Sequence, residues 1–165
     1  MSRLLQKNAK VAPLSSAADE GVSATREAMA SKAQMTGMRG VYLVAAELSR
    51  LGFIVSPTSR SAVGADLLVT DQKCKRAYSV QVKTNAKTFN FWLIGKKAKE
   101  STSDTHIYVL VNIRNSKRNG ETIEYYIVPS KNLARVGCHA GDWPNIKREK
   151  VLKYENAWEI FGNPA

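Results

Sequence analysis

Six consecutive residues, His106-Ile107-Tyr108-Val109-Leu110-Val111, run almost without polar interruption. A strand points successive side chains to opposite faces, so a run of this kind asks for cover on both faces. That requirement excludes a sheet with one face in water and favours a layered α/β domain. A second segment, Ala77 to Thr84, carries a different pattern. Tyr78, Val80 and Val82 alternate with Ser79, Gln81 and Lys83, which gives one apolar and one polar face. A polar face in a strand bordered by buried segments marks a candidate site.

The neighbouring segments supply the layers. Val41, Val44, Ala45, Leu48 and Leu51 follow the i, i+3, i+4, i+7 stripe of an amphipathic helix, and Gly52 can end it in a positive-φ conformation. Phe53-Ile54-Val55 reads as a short buried strand, and residues 56–64, rich in Ser and Gly with Pro57, as a loop. Ala65 to Thr70 reads as a second strand and Asp71-Gln72-Lys73 as a turn. Phe89 to Leu93 is aromatic and apolar, followed by a basic helical turn carrying Lys96, Lys97 and Lys99. Arg114 to Gly120 is expected to be a polar hairpin loop, with Thr122 to Val128 as partner strand. A short helix is expected to start with Ser130 as its N-cap and stop at Gly137. Trp143, Val151, Trp158, Ile160 and Phe161 are expected to pack back onto the core. The order is helix, three strands, a crossover containing a helix, then a strand hairpin with a closing helix. It predicts an α/β sandwich around a mixed sheet.

Residues 1–36 differ from the rest. Ala, Ser and Lys dominate, Pro13 interrupts, and no sustained apolar period appears. They read as a flexible arm or a weak helix near 16–34, with 37–165 as the domain. The charge belongs to the domain. The chain of 165 residues has 25 Lys+Arg against 14 Asp+Glu, a net charge of +11. The arm holds five basic and three acidic residues, leaving +9 for the remainder. A surface of that kind attracts polyanions, and nucleic acid is the expected partner. Cys74 and Cys138 form no C-x-x-C pattern, so they are expected to be reduced thiols rather than zinc ligands. No apolar run approaches the roughly 18 residues of a membrane helix, and no signal-type apolar core is seen. The expected compartment is the cytoplasm, with no membrane partner.

Asp66 precedes Gln81-x-Lys83 by 15 residues, a gap that one short hairpin bridges. The hairpin brings Asp66 beside the polar face of the third strand. A carboxylate and an amide oxygen are hard ligands suited to Mg²⁺, and a lysine on the same face can orient water or stabilise charge on a transferring phosphoryl group.

Gly40 to Leu48 with Gly52-Phe53, then Gly64-Ala65-Asp66-Leu67-Leu68-Val69, then Val80-Gln81-Val82-Lys83-Thr84 together resemble the PD-(D/E)XK nuclease superfamily. The resemblance covers about residues 37–113. It implies a restriction endonuclease-like α-β-β-β-α-β core and a metal-dependent endonuclease acting on DNA phosphodiester bonds. It implies Asp66, Gln81 and the Val82 carbonyl as ligands of Mg²⁺ or Mn²⁺, and Lys83 as the catalytic lysine. It also admits a homodimer. Two departures accompany it. The second acidic ligand is a glutamine, as in the Q-x-K variant of Mrr-type restriction enzymes. Val41 stands where many relatives place an acid, which makes Glu47 the candidate substitute. Two other functions stay open: a nucleic-acid-binding module that has lost catalysis, and an immunity- or antitoxin-like interaction domain.

Arg60, in the loop before Asp66, and Lys96, Lys97 and Lys99 are candidate phosphate contacts. Phe91 and Trp92 are read first as core and second as base-stacking residues. His106 is expected to be structural, and Cys138-His139 incidental.

Overall fold

The computed structural model describes residues 19–59, 64–86, 89–100, 103–116, 120–137 and 144–165. Arg60, Cys138, His139 and Trp143 lie outside them. The chain separates into two compact units, Met1–Ala33 and Gln34–Ala165. The larger unit is built on a five-stranded sheet.

Helix α1 spans Asp19–Arg50. Its stripe is the expected one, with Val41, Val44 and Leu48 buried. Gly52 ends the following turn at φ +97°, where a side chain would be strained. Strand β1 is Ile54–Pro57, not Phe53–Val55, and it is an exposed edge strand rather than a buried one. Phe53 occupies the core position just before it, while Ile54 is 50% exposed. Pro57 is tolerated because an edge strand has one side free of ladder hydrogen bonds.

Strands β2 (Leu67–Thr70) and β3 (Ala77–Asn85) form the hairpin expected around the motif. Asp71 shapes its turn. Its two carboxylate oxygens accept from the Lys75 and Arg76 N–H groups at 2.9 and 3.0 Å, and its carbonyl accepts from Cys74 N–H. Cys74, a free thiol, sits at φ +53° in this turn. Leu67 pairs with Val80 and Val69 with Tyr78, so register is pinned by apolar residues facing α1.

After β3 the chain crosses through β4 (Phe91–Leu93) and a 3-10 turn, Lys96–Lys99, before β5 (His106–Ser116) pairs parallel to β3. Strand β6 (Gly120–Pro129) pairs antiparallel to β5. The expected loop at 114–120 is thus mostly strand, because Arg114, Asn115 and Ser116 continue the ladder opposite Thr122, Glu121 and Gly120. Strand order in the sheet is β1-β2-β3-β5-β6. A smaller two-stranded sheet joins β4 to β7 (Asn145–Lys147), which the sequence had not suggested.

Ser130 opens α2 (Ser130–Val136) from inside rather than capping it. Pro129 holds the cap position, and the Ser130 hydroxyl donates to the Ser103 carbonyl and accepts from the Ser103 N–H. Gly137 ends the helix with ordinary negative φ.

The sheet is covered on both faces, as the 106–111 run demands. On one face Val41, Val44 and Leu48 of α1 meet Val80, Val82, Val109 and Val111. Phe161 closes this layer from the C-terminal segment, against Phe53 and Tyr78, and its carbonyl accepts from the Tyr78 hydroxyl at 2.8 Å. On the other face Tyr108, Leu110, Tyr126 and Val128 pack on Trp92, Leu133 and Ile146. Among the described residues no helix is long and apolar enough to cross a membrane.

Candidate active site

Asp66 stands at a bend just before β2, outside the regular ladder. Three backbone contacts fix it there. Its N–H donates to the Val80 carbonyl at 2.8 Å, and its carbonyl accepts from Thr58 N–H at 3.0 Å. The Thr58 hydroxyl donates to the Ala65 carbonyl at 2.6 Å. Thr58 therefore holds the bend from the end of β1. Nothing in the local sequence signals this, since its partners are 7 and 8 residues away across a loop.

Asp66 and Gln81 are in contact, and Lys83 lines the same cleft. Asp66 Oδ2 accepts from Gln81 Nε2 at 2.5 Å and from the Val82 N–H at 2.7 Å. Both bonds are charge-assisted, and the amide orientation follows from chemistry: the reverse would set two acceptor oxygens against each other. Among the described residues nothing donates to Oδ1. A strand residue's N–H and C=O point to the same side. The Val82 carbonyl thus faces the gap its N–H faces, beyond the last β2 pair, Leu67 with Val80. Lys83, two residues on from Gln81, shares its face, and among the described residues its ammonium is in no ion pair.

These groups line a cleft of about 260 Å³, walled by Pro57, Thr58 and Ser59 on one side and by Gln34, Met38 and Val41 of α1 on the other. Gly40 sets how closely the helix approaches. A Cβ there would lie 1.7 Å from Thr84 Oγ1 and 2.9 Å from Thr84 Cβ. Backbone of α1 thus rests directly on β3, and Thr84 Oγ1 is buried without a hydrogen-bond partner.

Glu47 is not brought to this cleft. It pairs with Arg50 at 2.9 Å, and its charge acts on Tyr125, whose phenol burial pushes up first and Glu47 second. Lys96, exposed, lies with Lys97 and Lys99 in the 3-10 turn after β4. His106 is buried and its Nδ1 lies 2.8 Å from Ser79 Oγ. Burial pulls its pKa below the ordinary value, and a hydrogen bond with the Ser79 backbone only partly offsets this. Trp92 is core, its indole N–H donating to the Val111 carbonyl at 3.0 Å.

As a metal centre the donor set is sparse but chemically apt. Asp66 Oδ1, the Val82 carbonyl and the Gln81 amide oxygen are all hard oxygens, suited to an ion that keeps several waters. Only one of them is charged. Among the described residues no group of three or more His, Cys, Asp or Glu gathers that could hold a metal.

Among solved structures, this chain is similar to that of Archaeoglobus fulgidus Hjc, a Holliday junction resolvase from an archaeal hyperthermophile. The TM-score is 0.51 at 12% identity, over 77% of this chain and 96% of that one. The fold is therefore the restriction endonuclease-like α/β fold, a mixed sheet flanked by helices. No family model matches the sequence, and no curated protein matches it.

Proposed function

We propose that this chain is a divalent-metal-dependent nuclease acting on phosphodiester bonds of DNA. The observation that carries the reading is the convergence of the Asp66 carboxylate, the Gln81 amide and the Lys83 ammonium on one cleft of this fold. Asp66, Gln81 and the Val82 carbonyl would hold Mg²⁺ or Mn²⁺. When bound, such an ion would neutralise phosphate charge and make an attacking water easier to deprotonate. The chain's own groups do the rest. Gln81 and the Val82 N–H hold the carboxylate by Oδ2, which would leave Oδ1 for the ion. Lys83 supplies a cation that stabilises developing phosphoryl charge or positions water, a contribution worth about 10²–10³ in rate for one well-placed group. The net charge of +11 draws the polyanion in.

A second reading keeps the fold as a nucleic-acid-binding module without catalysis. Gln81 favours it, because the amide already donates to Asp66 and so does in part what a cation would do for that carboxylate. A cleavage panel separates the two. Branched, linear duplex and single-stranded DNA and RNA are incubated with Mg²⁺ or Mn²⁺. Branched DNA is included because the similar structure is that of a resolvase. Metal-dependent cleavage of any DNA member supports the nuclease. Binding without cleavage across the whole panel leaves the module.

A further inference from the structure

Lys83 borders a second cleft as well as the one with Asp66. This neighbour, about 270 Å³, is lined by Lys83, Asn85, Phe89, Phe91, Trp92 and Leu93. Trp92 points into the core, so alternation along β4 turns Phe91 and Leu93 outward. Phe89 is 49% exposed, Phe91 37% and Leu93 50%. The two phenyl rings stand 5.4 Å apart at 48°. Three large apolar groups facing water side by side, next to the candidate catalytic lysine, call for a ligand.

Hydrogen bonds brace the described residues of the platform. Asn85 Nδ2 donates to the Phe89 and Phe91 carbonyls at 2.9 and 3.2 Å. Asn90, between them, accepts on its carbonyl from Arg148 N–H at 2.8 Å and on its side-chain oxygen from Arg114 Nη2 at 3.1 Å. Both guanidinium groups are anchored on Glu124, which also accepts from Asn112 and the Tyr126 hydroxyl. Burial opposes that charge, but these hydrogen bonds and the two guanidinium groups outweigh it and hold the Glu124 carboxyl below its usual range. Pairing of β4 with β7 secures the other edge. A preorganised aromatic surface loses little entropy when a flat ligand stacks on it.

Charge selects the ligand. Lys83 lies on one rim, and exposed Lys147 lies opposite Phe91 in register on β7, on the same side of that small sheet. Among the described residues no acidic group lines the cleft. An apolar floor between two cations matches a base with its phosphates. It suits a second copy of the chain poorly, since the same lysines would face one another.

We propose that this cleft holds an unpaired nucleobase flanking the phosphate at the Asp66–Lys83 site, stacked on Phe91. The inference rests on the nuclease reading and names its substrate class: strands with an unpaired nucleotide at the reacting position. A base inside a duplex is already stacked and enters only if it is first flipped out, which costs unstacking and unpairing energy.

The test uses the full chain without metal, in EDTA at fixed salt, so that no cleavage is needed. An oligonucleotide carrying one 2-aminopurine in an unpaired pyrimidine stretch is titrated, beside a fully paired duplex. Binding is expected to quench the probe. Phe91→Ala and Phe91→Leu should each abolish the quenching and weaken binding about tenfold. Phe91→Tyr should keep both, and duplex affinity should be unchanged in all three. Wild-type quenching and affinity in Phe91→Ala would overturn the inference and leave the nuclease reading intact. So would a change of molecular mass in Phe91→Ala with affinity unchanged, which would assign the patch to chain–chain contact. Failure of the wild type to bind any nucleic acid would overturn both.

Discussion

Replacing Gln81 with glutamate exchanges a donor for a second negative charge against Asp66. The present contact is a 2.5 Å bond from Gln81 Nε2 to Asp66 Oδ2. Gln81→Glu removes that bond, worth about 1.5–3 kcal/mol when one partner is charged. It also sets two carboxylates side by side. At a separation of about 4 Å and an effective dielectric constant of about 20, their repulsion is about 4 kcal/mol. Both positions are only half-buried, so solvent screening reduces this to about 1–2 kcal/mol. The metal-free variant should therefore be about 3 kcal/mol less stable, a fall in Tm of about 6–12 °C for a chain of this length. Divalent metal offsets the loss. At one hundred times Kd a bound ion returns about 2.7 kcal/mol, nearly the whole deficit. The assay is thermal unfolding of wild type and Gln81→Glu in EDTA and across a Mg²⁺ and Mn²⁺ series. The variant should melt lower in EDTA and gain more than the wild type from metal. A variant as stable as the wild type in EDTA, or indifferent to metal, refutes the geometry assigned to this pair.

Gly40→Ala tests the helix–strand contact. Thr84 Cβ, 2.9 Å from the added methyl, cannot rotate away, so α1 must shift at a cost of about 1–3 kcal/mol by urea denaturation. This should exceed the roughly 1 kcal/mol of helix propensity that alanine gains. His106 predicts a pH dependence. Its depressed pKa means that the unfolded chain takes up the proton first. Stability should be full above about pH 6.5 and fall as pH drops below it, towards the lower folded value. His106→Gln should flatten that slope in melts run between pH 7.5 and 5. DNA binding should weaken steeply with salt. An interface engaging about five phosphates gives a log–log slope near −4.5, and an affinity indifferent to salt would remove nucleic acid as the partner.

The geometry of the candidate site was legible because its logic is periodic. Alternation in β3 put Gln81 and Lys83 on one face, and the hairpin length put Asp66 beside them. The parts that were not legible depend on contacts far along the chain. The sequence offered a flexible arm or a weak helix near 16–34 and a separate helix from about Gly40, whereas α1 runs unbroken from Asp19 to Arg50. An Ala- and Ser-rich stretch without an apolar stripe gives no periodic signal, only intrinsic propensity. The hairpin of β5 and β6 runs past Arg114 because ladder hydrogen bonds need backbone, not apolar side chains. Strand β1 was shifted by one residue because Phe53 is the anchor and the edge strand after it is exposed. Ser130 looked like a cap by residue type, but its hydroxyl is engaged by Ser103, 27 residues away. Glu47 lies beside the buried stripe, one residue before Leu48, and its carboxylate pairs with Arg50. Thr58 and β7 left no trace in the sequence that a local pattern could find.

The central claim is that Asp66 and Lys83 are required for chemistry and not only for binding. The direct measurement is single-turnover cleavage at saturating protein, with DNA affinity determined in parallel, for wild type, Asp66→Ala and Lys83→Ala in Mg²⁺ and Mn²⁺. The account predicts metal-dependent cleavage by the wild type and a loss of about 100-fold or more in each variant, with DNA affinity in Lys83→Ala within about threefold of wild type. Cleavage by Asp66→Ala at the wild-type rate, or a wild type that binds DNA and cuts none of it with either metal, would contradict the claim.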